Sequence, residues 1–114
     1  MSLLTEQPQP LSTTGDVWAD ILADDWIVAN ILARVRSDMA ARRLQGIERY
    51  GTPLQVGNLR DSKADAYQEI IDFVAYAQLR SMEMTESGNR NGARMWRSLR
   101  NEVARLCERV EEAP

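Results

Sequence analysis

The sequence predicts an all-α fold, a helical bundle of three to five helices. Three observations carry this. Apolar residues recur near the 3.6-residue helical period in three separate segments. Gly, Pro, Asn and Ser cluster between those segments, where turns are built. No stretch reads as a strand, and the least assignable one, Val56-Gly57, is too short to found a sheet.

Residues 1–14 are predicted to form a disordered or extended tail, because Pro8, Pro10 and Ser12-Thr13-Thr14 do not suit a helix. Residues 15–114 then make a single all-α domain. A helix starts near Gly15-Asp16, with Thr14 or Asp16 as its cap. From about Asp16 to Glu48 one stripe holds Val28, Ile31, Leu32, Val35, Met39 and Ile47. Trp18, Ile21 and Leu22 extend it backwards, and Asp24-Asp25 marks where a short helix gives way to a long one. Tyr50 to Asp61 is a loop, with Gly51, Pro53, Gly57 and Asn58 as turn formers. The next helix begins at Ser62, where Ser62 and Asp65 stand as S-x-x-D in the manner of a capping box. It runs to about Met84 on a stripe of Tyr67, Ile70, Ile71, Val74 and Ala77. Residues 87–92 break it. The last helix covers about Ala93 to Glu111, where Leu99, Val103, Leu106 and Val110 are spaced 4, 3 and 4 apart as a short heptad seam.

Composition narrows the chemistry. The 114 residues suffice for one core without staples. There is no histidine, so His-dependent nucleophilic triads, histidine bases and nearly all zinc sites are excluded. An enzyme of this composition works through carboxylates. The lone Cys107 rules out an internal disulfide and fits a reducing, cytoplasmic setting. No apolar run reaches the roughly 18 residues of a membrane span, and no secretory signal opens the chain, so no membrane partner is expected. The net charge of −3 argues against a general nucleic-acid binder. The basic residues are thirteen Arg and the single Lys63, with six of the arginines between Arg90 and Arg109.

The segment with the most chemical content is Asp65-Ala-Tyr-Gln-Glu69-Ile-Ile-Asp72. At 100° per residue Glu69 lies about 40° from Asp65 and Asp72 about 20° on its other side, so the three project as one acidic stripe opposite the apolar stripe. Oxygen clusters of this kind favour hard divalent cations, Mg²⁺ or Mn²⁺ above all. A solvated acidic face is the plainer account, and Asp65 has a separate reason to exist as a cap partner.

The preceding loop adds to this. "RYGTPL" at residues 49–54 and "DAYQEIIDFVAYAQLR" at residues 65–80 resemble the MazG-like all-α nucleoside triphosphate pyrophosphohydrolases, in particular small phage-type members. The resemblance covers roughly Ser37 to Arg80. It implies an all-α fold of four or five helices, a homodimer or homotetramer, and Mg²⁺-dependent cleavage of a (deoxy)nucleoside triphosphate to monophosphate and pyrophosphate, in the cytoplasm of a bacterium or of a phage host. The family's E-x-x-D pair maps onto Glu69 and Asp72. Its upstream E-E-x-x-E does not map: residues 41–48 read "ARRLQGIE", with Glu48 the one carboxylate there and Asp38 further back. The implied catalytic set is Glu69, Asp72 and Glu48, and the implied metal set adds Asp65 and Asp38.

A phosphoryl site also needs cations, and Lys63, Arg60, Arg49 and Arg43 are nearest in sequence. Tyr50 is a candidate to stack on a base and Asn58 to read its edge. Each has a plainer role as well: a solvated cation, a packing anchor, a turn residue. The missing upstream acids leave a second expectation, a catalytically degenerate helical interaction protein of the same fold. A third, an arginine-rich nucleic-acid binder using the last helix, is the weakest, because Glu102, Glu108, Glu111 and Glu112 are interspersed with the arginines.

Overall fold

The computed structural model describes residues 2–114, and among them it holds five helices and no strand. They are α1 (Val17–Ala23), α2 (Asp25–Asn30), α3 (Ala33–Tyr50), α4 (Ser62–Glu86) and α5 (Arg90–Glu112). No helix is long and apolar enough to cross a membrane. The chain divides into two compact units, Pro8–Arg60 and Asp61–Pro114, the second joined by residues 2–7.

In the 8–60 unit, the break expected at Asp24-Asp25 is present, and a second one at Ile31-Leu32 makes three helices where a short and a long one were expected. Asp24 is the reason for the first break. It closes α1 with an extended backbone, and its Oδ1 accepts the Ile27 N–H at 3.1 Å to open α2. An Asp at an N-cap competes well with helix continuation. Asp16 caps α1 in the same way, accepting the Ala19 N–H at 3.0 Å. Its other oxygen takes the Arg43 Nε–H at 2.7 Å, which ties the start of α1 to α3. Gly51, with φ of 74°, ends α3 in the left-handed conformation that glycine adopts without strain.

The loop after α3 is closed by the segment before α1. Gln55 is 8% exposed and sits at the centre. Its Oε1 accepts the Thr13 N–H at 2.6 Å and the Thr52 hydroxyl at 2.9 Å, and its amide donates to the carbonyls of Thr13 and Gly15. Leu11 N–H donates to the Asn58 carbonyl and Val17 N–H to that of Leu54. Residues 8–16 are therefore an extended strap laid on the loop.

The 61–114 unit is an antiparallel hairpin of α4 and α5. Asp61, not Ser62, is the N-cap of α4, accepting the Ala64 N–H at 3.1 Å. The cap shifts because Asp at 61 captures the donor first, so Asp65 lies one position past the place a capping-box partner takes. Asn89 caps α5 through the Gly92 N–H, which draws Arg90–Gly92 into a helix that periodicity starts at Ala93. Ala64, Ala77, Ser81, Ala93 and Cys107 are the buried residues of the hairpin, and such small side chains let two helices approach closely. Three clamps set the register. Ser81 Oγ donates to the Ala93 carbonyl, Arg100 donates to Gln78, and Lys63 Nζ donates to the carbonyls of Glu111 and Ala113.

Among the described residues no large side chain is fully buried. Val28, Leu32 and Val35, expected on a core stripe, are exposed, as is Trp26. The expected stripe of α4, from Tyr67 to Val74, is half-buried.

Candidate functional site

The acidic residues fall into both units. In the hairpin, Asp65, Glu69 and Asp72 share one face of α4 as their spacing dictates. Glu69 and Asp72 are exposed and make no hydrogen bond or ion pair with the described residues; Asp65 is half-exposed and has a partner. In the 8–60 unit, Asp38 and Glu48 are both exposed on α3. Ten residues separate them, about 15 Å along the axis, so α3 does not bring them together. Among the described residues no three acidic side chains gather at a spacing that holds a metal. Two carboxylates one turn apart, as Glu69 and Asp72 are, still fit a hydrated Mg²⁺, which keeps several waters and takes one or two protein carboxylates alongside phosphate oxygens.

The expected cations and aromatic have partners of their own. Lys63 spends two N–H donors on the end of α5, at 2.9 and 2.6 Å. A cation there also suits the negative end of the helix dipole. Arg60 donates to the Pro8 carbonyl at 2.7 Å. Arg43 is the ion-pair partner of Asp16. Arg49 is exposed and stacks over the Tyr50 ring, with its guanidinium carbon 5.1 Å from the ring centre. The pair presents a cation and an aromatic face together at the end of α3.

Asn58 is 8% exposed, and its Oδ1 accepts the Arg60 N–H. This side chain builds an Asx turn, the role its loop position favours. Leu59 between them has φ of 69°, uncommon for a residue with a branched side chain. A shallow apolar cavity of about 400 Å³ lies between α1 and α3, lined by Ala19, Leu22, Ala23, Ala40, Arg43 and Leu44. Of the expected site residues only Arg43 borders it.

Asp16 has a displaced titration. The Ala19 N–H holds it below the usual carboxylate range, with Arg43 helping and burial opposing. It belongs to the scaffold of the 8–60 unit. Gln55, the most connected side chain of that unit, carries no periodic or charge signal in the sequence; only its place beside Thr52 in a turn-rich loop hints at a local bond.

Set against protein-family models, curated proteins and solved structures, the chain matches none of them.

Proposed function

We propose that the protein is a Mg²⁺- or Mn²⁺-dependent nucleotide pyrophosphohydrolase of the MazG-like kind, acting on a (deoxy)nucleoside triphosphate. One observation carries this: Glu69 and Asp72 are exposed, unpartnered among the described residues and one turn apart on the helix that follows the "RYGTPL" turn. Nothing in the protein fold uses these two carboxylates, and each is a hard oxygen donor. In the reaction, a water oxygen bonds to the α-phosphorus and the bond to the α–β bridging oxygen breaks, releasing pyrophosphate and monophosphate. Mg²⁺, when bound, would supply charge neutralisation for the phosphate oxygens. Glu69 and Asp72 would hold it, with Asp65 beside them on the same face of α4.

The test is pyrophosphate release from a panel of nucleoside and deoxynucleoside triphosphates, with and without Mg²⁺. Release is expected with metal only. Glu69→Gln is expected to abolish it while helix content by circular dichroism stays unchanged, and retained turnover in that variant sinks the assignment.

A second proposal, a helical interaction protein without catalysis, is favoured by one observation: no acidic triad assembles among the described residues. It predicts silence across the panel and no rise in melting temperature on adding metal and nucleotide, since only a ligand that binds the native state raises it.

A further inference from the structure

The antiparallel run of α4 and α5 sorts the charges of the hairpin. The start of α4 lies beside the end of α5, where Lys63 reaches Glu111 and Ala113. The end of α4 lies beside the start of α5, where Ser81 reaches Ala93. Residues 61–74 and 102–114 make the first end, with eight acids against three cations. Residues 75–101 make the other, with five arginines against two glutamates. Glu102, Glu108, Glu111 and Glu112, which dilute the arginines of α5 along the sequence, all fall in its second half. Glu83 and Glu86, the glutamates of the basic end, are on α4, and no acid lies between Ser87 and Asn101.

Within the first half of α5 the arginines take one side. At 100° per residue Arg90, Arg94 and Arg97 lie within about 60° of one another, opposite half-buried Trp96, Leu99 and Val103. All three are exposed. Arg90 and Arg97 make no hydrogen bond or ion pair with the described residues, and Arg94 bonds only to the exposed Asn91. Asn91, Ser98 and Asn101 are exposed neutral groups among them.

This set matches a polymer of phosphates. Each guanidinium presents a fork of N–H donors that fits phosphate oxygens, and Asn and Ser side chains bond the same oxygens. Arg90 to Arg97 spans about 10 Å of helix axis, and the phosphates of one duplex strand advance about 3.4 Å each, so three arginines reach three phosphates. A single strand asks for exposed aromatic rings, and the one aromatic of this half, Trp96, is half-buried on the other side. A bilayer asks for a free apolar face, and that of α5 is spent on α4. A helix approaches the wide major groove of B-form DNA, whereas that of an RNA duplex is too narrow.

We infer that the first half of α5 is a docking surface for double-stranded DNA, with Arg90, Arg94 and Arg97 on its phosphates. The net charge of −3 does not oppose this, because the hairpin approaches with its basic end leading. The inference does not rest on the nucleotide activity: Asp65, Glu69 and Asp72 belong to the acidic end.

Fluorescence anisotropy of a labelled duplex of about 20 base pairs, titrated with the full chain in EDTA, is the test. Binding is expected at about 50 mM salt, with log K falling against log salt at a slope of about −2.7 for three phosphates, roughly 40-fold weaker at about 200 mM. Arg90→Gln and Arg97→Gln together are expected to bring the slope to about −0.9 and to weaken binding about tenfold or more at the lower salt. Helix content is expected to hold, since both positions are exposed and Gln is as good a helix former as Arg. If it does not, Arg94→Gln alone is expected to lower the slope by about 0.9. Arg109→Gln, exposed at the acidic end, is expected to bind like wild type. No binding up to about 100 μM overturns the proposal. So does an unchanged slope in the Arg90 and Arg97 variant or in Arg94→Gln, an equal loss in Arg109→Gln, or tighter binding to an RNA duplex or to phosphatidylserine vesicles than to DNA. Because metal and nucleotide are absent, this result is separate from that of pyrophosphate release.

Discussion

The two units of this chain are held together by different physics. The α4–α5 hairpin is a contact between helix faces, in which Ala64, Ala77 and Ala93 let the backbones approach and Ser81, Gln78–Arg100 and Lys63 set the register. The buried residues of the 8–60 unit are polar: Thr52, Gln55 and Asn58, all in the loop after α3. A strap of extended chain closes on that loop through hydrogen bonds, with Gln55 as the hub. The hairpin depends on the close approach that its small side chains allow. The loop depends on satisfied polar groups, and losing one leaves its partners buried and unpaired.

The largest effect that separates the two is expected from Gln55→Ala. It strips partners from Thr13, Thr52 and Gly15, and is expected to cost about 3 kcal/mol, by the desolvation of several groups left unpaired. Hydrogen exchange should rise across residues 8–60 and stay low in α4 and α5; loosening of the hairpin instead would break the contrast. Ala77→Leu reverses the experiment. Ala77 is 0% exposed, and overpacking it is expected to cost about 2 kcal/mol and to raise exchange in the hairpin alone. Equal loosening of both units would show them to be one cooperative body.

Smaller effects sharpen the difference. Lys63→Met removes the clamp on the last carbonyls of α5 and is expected to cost about 0.5 kcal/mol, seen as fraying confined to residues near Glu111. Asp16 offers a test by pH. Its carboxyl titrates lower in the folded protein than in the unfolded chain, so its stabilisation is present at neutral pH and is lost as pH falls below the ordinary carboxylate range. Asp16→Asn is expected to flatten that acid limb of the melting temperature. An equally steep limb in the variant would assign acid sensitivity to other groups. Leu59→Asn, which relieves a left-handed residue, is expected to add a few tenths of a kcal/mol.

The hairpin was the more legible region. Tyr67, Ile70, Ile71, Val74 and Ala77 recur at the helical period, and the structure builds α4 over them. The helix starts were less legible, because several capping residues stand side by side. Asp61 displaced Ser62 as the cap, Asn89 extended α5 by three residues, and a second break at Ile31-Leu32 divided the long helix expected after Asp24. The acidic face of α4 follows from spacing alone, since residues four and seven apart share a side whatever packs behind them. The partners of Lys63, Asn58 and Gln55 were not legible. Each reaches a group that the backbone supplies only after a turn or a helix end has been made.

By itself the sequence determined the all-α class, the acidic face of α4 and the loop between α3 and α4, because these depend on periodicity and on turn-forming residues close in the chain. Tertiary structure decided the rest. It divided the chain into two units, drew residues 8–16 onto the loop and gathered Arg80, Arg90, Arg94 and Arg97 at one end of the hairpin. Those outcomes depend on which surfaces meet across many residues, and a local pattern does not encode a long-range partner.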